Sequence, residues 1–277
     1  MKRSKSFFFG LLSAVLLLLF LVPGVSAEHY SIDGYEIPIE IIINNEKILT
    51  NEGAFLENGI TYVPVRPISE ALGASVTWEA ESRTASVTLT GVTVSFSENA
   101  PLPENAAVVY ENTLFVPVRT LAEALGIGAE WDENYYQVHL TAPTLTVSDE
   151  YVDPNFRNSD VLLIAQVLQC ECGSSPFEGK IAVANIITNR VAHHQFPSTV
   201  KEVIYDCRGG SVQFPLAYNG RIDNVPSTEC ILAAKCALAG VVVAKDCLFF
   251  QADWVEDSWI NRNRTYAMSS GGNAFFN

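Results

Sequence analysis

The stretch "QCECGSSPFEG", residues 169–179, holds three side chains of types that do chemistry: Cys170, Glu171 and Cys172. As a thiol site it needs a base beside the cysteine, most often histidine. The second half of the chain offers only His193 and His194, which follow a long apolar helical segment. As a zinc site it needs about three ligands and an open position. Adjacent histidines point in different directions, and Cys-x-Cys lacks a second close pair. As a carboxylate site it needs only Glu171. Leu168 and Phe177 are its apolar neighbours in sequence. A carboxylic acid among apolar side chains resists ionisation, so it can protonate a leaving oxygen near neutral pH, as glycosidic cleavage requires. A glutamate at a helix end is, on residue type alone, more often solvated or capping.

The elements around Glu171 read as helices. "SDVLLIAQVLQC" starts at the capping residue Ser159 and is apolar nearly all round. "SPFEGKIAVANIITNRVAHH" opens with Ser175, Pro176 and Glu178, the order of a capping box. A third helix is expected from near Ser198, through Val200, Val203 and Ile204. A fourth should run from Thr228 to about Ala239, capped by Ser227 and stopped by Gly240. Strands are expected at 241–244 and 247–251.

The front half repeats itself. Val63-Pro64-Val65-Arg66 returns as Val116-Pro117-Val118-Arg119, Trp78 as Trp131 and "EALG" (70–73) at 123–126, all offset by 53 residues. Each unit reads as a strand (Tyr62–Val65; Leu114–Val118), a short helix closed by Gly73 or Gly126, a Trp-bearing strand and an alternating strand. Arg66 and Arg119 are expected to form an ion pair within each unit. This half has no cysteine and only His29 and His139, so no copper or zinc cluster.

Charge and composition divide the chain in the same place. Residues 28–149 carry a formal balance of -14 and residues 150–277 one of -3. The acidic front half lacks the basic footprint that nucleic acid requires. Residues 1–27 have the order of a secretory signal: Lys2, Arg3 and Lys5, an apolar run from Phe7 to Val22, then small residues ending at Ala27. That run has 16 residues, short of the ~20 that span a bilayer. Cleavage would leave an exported, wall-associated or spore-associated protein with no stable membrane span. All six cysteines lie between 170 and 247. An even number in an exported chain admits disulfides, whose pairing stays open. The expected organisation is a signal at 1–27, a two-repeat module at 28–142, a linker at 143–158 and a second domain at 159–277.

Two resemblances add to this reading. Over residues 35–142 the "NG-TYVPVR---EALG" pattern and the tryptophan strand resemble the module named after the N-terminal domain of copper amine oxidases. In exported bacterial proteins such modules accompany enzymes, which implies attachment to the wall or spacing. From about Asp160 to Phe276 the chain resembles the cell-wall hydrolase family of spore cortex-lytic enzymes (SleB/CwlJ type). "CECGSSPFEG" stands in register with that family's "AEARGE-YEG". "KIAVANIITNRVAHHQFPSTVKEVIY" (180–205), Gln213-Phe214, "NGRI" (219–222), "AAKCALAG", "CLFF" and Gly272-Asn273 with Phe275-Phe276 follow in the family's order.

The resemblance implies a fold class of α+β: the two-repeat α/β module, then a mostly helical lysozyme- or lytic-transglycosylase-like catalytic domain with a small β element. It also implies cleavage of peptidoglycan between N-acetylmuramic acid and N-acetylglucosamine, with Glu171 as the catalytic acid and no metal or cofactor. In a lytic route one carboxyl group suffices, while a hydrolytic route uses two. Gln213, Phe214, Asn189, Phe249, Trp259 and Tyr266 are the expected substrate-binding residues, since aromatic faces stack on sugar rings and amides meet hydroxyl and acetamido groups. Core packing is the competing role for Phe214 and Phe249, and pinning of the helix end for Asn189. Three departures stand out: Gly173 where the family has arginine, Ser175 where it has glutamate, and Ala274 near its usual histidine. An amidase and a wall-binding homologue without catalysis are the alternatives.

Overall fold

The computed structural model describes residues 30–98, 100, 107–208, 210–215 and 221–277. The expected signal at 1–27 lies outside them. Each repeat is a hairpin, a helix and a second hairpin. In the first copy, Phe55–Glu57 pairs with Ile60–Pro64, helix α1 spans Val65–Ala71, and Ser75–Glu79 pairs with Thr84–Leu89. The second copy repeats this with Val108–Tyr110, Thr113–Pro117, α2 (Val118–Ala124), Gly128–Asp132 and Gln137–Thr141. Gly73 (φ +81°) and Gly126 (φ +71°) take the left-handed conformation that ends each helix without a Cβ penalty.

The two copies join back to back through their first hairpins. Strand Ile60–Pro64 runs antiparallel to Thr113–Pro117, and Val63 pairs with Val116, its own equivalent. Such self-pairing defines an internal two-fold axis, as in an isologous dimer. The module closes head to tail: Glu40–Ile43 runs parallel to Gln137–Thr141, the last strand of the second copy. Ile, Val and Leu side chains from both copies fill one core between them.

The stretch 143–158, expected as a linker, is held rather than loose. Asn44 Nδ2 donates to the carbonyls of Ala142 (2.8 Å) and Leu145 (3.1 Å). Val152 bridges to Ile48, and Tyr151 donates its hydroxyl to Glu70 (2.9 Å). At the other end, Ile37 is buried in the core of the second half, with Ile32 and Tyr35 packed against that core.

The second half is built on α3 (Asn158–Cys172), α4 (Phe177–Ala192), the short α5 (Val200–Ile204) and α6 (Thr228–Leu238). Cys230, Ala233, Ala234 and Ala237 put small side chains along one stripe of α6, and α3 and α4 both pack against this helix. Ser227 caps α6, its hydroxyl accepting from Cys230 N, and Gly240 (φ +92°) ends it. A three-stranded sheet follows, with Asn273–Phe276 between Phe249–Ala252 and Tyr266–Ser270, and α7 (Trp259–Asn263) lies between the outer strands in sequence. The strand expected at 241–244 does not form. Asn185 takes its place as partner, donating to Val241 O (2.9 Å) and accepting from Val243 N (2.8 Å) and Ala244 N (3.2 Å). A side chain thus satisfies backbone groups that would otherwise need a neighbouring strand.

Candidate active site

Glu171 sits in the last turn of α3, and its Oε1 is buried with no hydrogen-bond partner. Burial raises its pKa above the usual glutamate value. An unpaired buried carboxyl oxygen is costly if ionised, so the fold favours the protonated acid here.

The turn after Glu171 accounts for the departures at 173 and 175. A Cβ on Gly173 would lie 2.7 Å from both the Gln169 carbonyl oxygen and its side-chain nitrogen. Gln169 folds back over this turn, its Oε1 accepting from Ser227 N (2.9 Å) and Cys230 Sγ (3.6 Å). A large residue at 173 would displace it. Ser175 does not cap α4 as its position implied. Its hydroxyl donates to Gly271 O (2.8 Å), and Pro176 occupies the N-cap with no side-chain hydrogen bond. The capping box is therefore absent, and Tyr35 hydrogen-bonds Glu178 instead. Buried Lys180 fixes the same turn by donating to Ser175 O (2.7 Å) and Glu229 (2.6 Å).

Gly271 belongs to the turn between the last two strands, and it meets Gly179 of α4. A Cβ on Gly179 would lie 2.8 Å from the Gly271 Cα. This contact ties the sheet to the helix that follows Glu171. Gly179→Ala is expected to lower stability by about 1–3 kcal/mol, the usual cost of overpacking. A denaturant titration reads it, and an unchanged midpoint would show that the contact is slack.

Four of the six cysteines are packing residues. None of the six is in a disulfide, and Cys172, Cys230, Cys236 and Cys247 are buried. Burial pushes the Cys172 thiol up to about 12 and Cys236 up to about 11. Almost no thiolate exists at neutral pH at these two positions under such shifts, so neither offers a ready nucleophile. Iodoacetamide at pH 8 is expected to modify exposed Cys207 well before buried Cys172 and Cys230, as peptide mass mapping would show. Among the described residues, no group of three or more His, Cys, Asp or Glu is placed to hold a metal ion.

The expected substrate-binding residues separate into two groups. Phe249 and Trp259 come together, with ring centroids 6.3 Å apart, and the Arg264 guanidinium lies over both at 4.3 and 5.1 Å. Trp259 (55 %) and Tyr266 (58 %) are exposed, so their faces are open to a ligand. Tyr266 leads along its strand to Gly271 and so to the turn after Glu171. Gln213 is half-buried, and its Nε2 donates to the nearby Ser211 carbonyl, at 3.3 Å. Phe214, by contrast, is 1 % exposed and sits in the core, where no sugar can stack on it. Asn189 spends its amide nitrogen on the carbonyls of Ala244 and Cys247, both at 2.9 Å, and pins the loop before the sheet. These two are corrections to the sequence reading, in favour of the packing and pinning roles. Sequence reasoning missed Trp254, 79 % exposed in the loop before α7, and Arg264, whose role depends on contacts across the sheet. A cleft of about 540 Å³, lined by Gln169, Cys170, Asn224, Val225, Pro226 and Ser227, opens beside the end of α3.

Comparison with known proteins separates the same two halves. Residues 174–277 match the family described as Cell Wall Hydrolase. Residues 42–101 and 96–150 each match the copper amine oxidase N-terminal domain. Glu171 lies three positions ahead of the first match.

Among curated proteins, a spore cortex-lytic enzyme of Bacillus subtilis (strain 168) is 30% identical over 106 residues, covering 38% of this chain and 33% of that protein. Another, from Bacillus cereus, is 31% identical over 109 residues, covering 39% and 40%. The chain thus spans between a third and two fifths of the length of these relatives. Among solved structures, the catalytic domain of the germination-specific lytic transglycosylase SleB from Bacillus anthracis is 25% identical, with a TM-score of 0.41 over 46% of this chain and 100% of that one.

Proposed function

We propose that the protein is an exported enzyme that cleaves the glycan strands of peptidoglycan between N-acetylmuramic acid and N-acetylglucosamine, with Glu171 as its general acid and base. The buried, unpartnered Oε1 of Glu171 carries this reading. The likeness of residues 174–277 to cell wall hydrolases supports the substrate class. The chemistry needs one carboxyl group. Glu171 gives its proton to the glycosidic oxygen as the bond from muramic C1 to that oxygen breaks. The muramic 6-hydroxyl oxygen closes on C1, and the Glu171 carboxylate takes the hydroxyl proton. The enzyme returns to its starting state and the glycan ends in a 1,6-anhydro ring.

Trp259, Tyr266, Phe249 and Gln213 are the proposed sugar-binding residues, and spore cortex or vegetative wall the proposed setting. Residues 1–27 are proposed to direct export, 28–142 to form the wall-attachment module, 143–158 to join it to the catalytic domain, and 159–277 to form that domain. Incubation with purified peptidoglycan is expected to release soluble glycan fragments. Release of stem peptides alone would assign an amidase, and release of nothing would leave a wall-binding protein. The pH profile of kcat/KM is expected to fall with one ionisation as pH rises through the raised Glu171 pKa, because only the protonated acid starts the reaction. A bell-shaped profile would point to a second carboxylate.

A further inference from the structure

The front module carries two clefts that are copies of one another. The first, about 930 Å³, is lined by Val65, Arg66, Glu70, Val76, Trp78 and Ala85 among others. The second, about 620 Å³, is lined by Val118, Arg119, Glu123, Ala129, Trp131 and Val138. Every one of these positions maps onto its counterpart by the 53-residue offset of the repeat. Each cleft is completed by the first hairpin of the opposite copy: Val109 and Asn112–Leu114 in the first, Leu56 and Gly59–Thr61 in the second. The internal two-fold axis through Val63 and Val116 thus generates two sites, each built from both copies.

Packing does not explain what the copies share at these sites. Between residues 58–89 and 111–142, buried identities such as Val63, Val65 and Leu72 are core positions. The Arg, Glu and Trp common to both copies are not. Trp78 is 43 % exposed and Trp131 36 %. Glu70 is held in place in the first cleft, accepting from Arg66 (3.1 Å) and from Tyr151 (2.9 Å). Trp131 stands edge-on to Tyr136, with centroids 5.0 Å apart. Each cleft is thus lined by a half-open indole together with an arginine and a glutamate. An indole face stacks on a sugar ring, and the two charged groups supply donors and acceptors for hydroxyl and acetamido groups. Both volumes lie within the ~300–1,000 Å³ of small-ligand sites. The -14 balance of residues 28–149 disfavours a polyanion as the occupant.

From this pairing we infer that the two clefts are equivalent glycan-binding sites that hold the protein on an N-acetylated wall polysaccharide. The inference rests on the proposed function only for the identity of that glycan. Two sites on one rigid module act bivalently on an insoluble polymer, so the loss of either weakens retention.

The test is co-sedimentation of the full chain, carrying Glu171→Gln, with purified insoluble peptidoglycan. Trp78→Ala and Trp131→Ala are each expected to lower the affinity about tenfold, and the double variant further. Trp78→Phe/Trp131→Phe should recover most of it. The exposed tryptophans are not core residues, and unchanged melting curves would verify folding. A double alanine variant that sediments like its parent, with melting curves unchanged, would overturn the inference. Fragment release by the otherwise wild-type chain is read separately. Weakened sedimentation together with no release by that chain would sink the enzymatic reading and leave the clefts standing.

Discussion

Glu171→Gln will abolish fragment release, lowering kcat by at least about 10³-fold, because one group acts as both acid and base. Glutamine keeps the size and shape but can neither give nor accept the proton. The variant should bind peptidoglycan as before, so the loss falls on kcat rather than on KM. Stability should move the other way. A carboxyl whose pKa is raised by folding contributes stability that is fully present below its unfolded value and is lost as pH rises through the folded value. Glutamine has no such loss. The variant's melting temperature should therefore match or exceed that of the wild type at neutral pH, with the gap closing toward acid pH. A variant that kept activity, or that lost it by unfolding, would contradict the assignment.

Lys235→Met will destabilise the protein by about 3–5 kcal/mol, the usual cost of breaking a buried ion pair. Lys235 lies on α6 of the second half and is 0 % exposed. Its Nζ donates to the carbonyls of Pro38 and Tyr136, both at 3.0 Å, and to that of Tyr135. It also lies 3.2 Å from Glu40, which pairs with Lys47 as well and accepts from Gln137 (2.7 Å). Gln137 reaches on to Asn158 at the start of α3. This network latches the front module to the second half, so the wild type should melt in one calorimetric transition. In the variant the transition should drop and separate into two. Adding Glu40→Gln should restore part of the loss, because the uncompensated charge is then gone. A single transition at the wild-type temperature in Lys235→Met would show that the latch is not coupling the halves.

The limits of α6 were legible because their signals are local, whereas Ser159, expected to cap α3, lies inside that helix, and Arg157 stands at its N-cap with no side-chain hydrogen bond. Ser227 and Gly240 bracket α6 through a cap and a left-handed turn, both within the segment they close. The repeat was legible too, and the Arg66–Glu70 ion pair at 3.1 Å is the one expected inside the first unit, whereas among the described residues the one expected at Arg119 does not form. What escaped was everything set by distant partners. Ser175 stands where a cap belongs, but Gly271, nearly a hundred residues on, takes its hydroxyl. The β-branched run at 241–243 has strand propensity, yet Asn185 rather than a strand satisfies its backbone. Ile37 packs with the second half although it is close in sequence to the repeats. At the site, the sequence setting alone left Glu171 as readily a capping or solvated residue, the resemblance singled it out, and its unpartnered oxygen was not legible. Phe214 and Asn189 looked like ligand contacts by residue type, and only burial and bonding reassigned them.

If Glu171 alone drives a lytic cleavage, the ends of the released fragments record it. Purified peptidoglycan is digested with the wild-type chain, and the products are analysed by mass spectrometry before and after borohydride reduction. The account predicts 1,6-anhydro-muramic ends that borohydride leaves unchanged, and none from Glu171→Gln. Muramic ends that are reduced, and so carry a free hemiacetal, would mean water had attacked C1 and would contradict it.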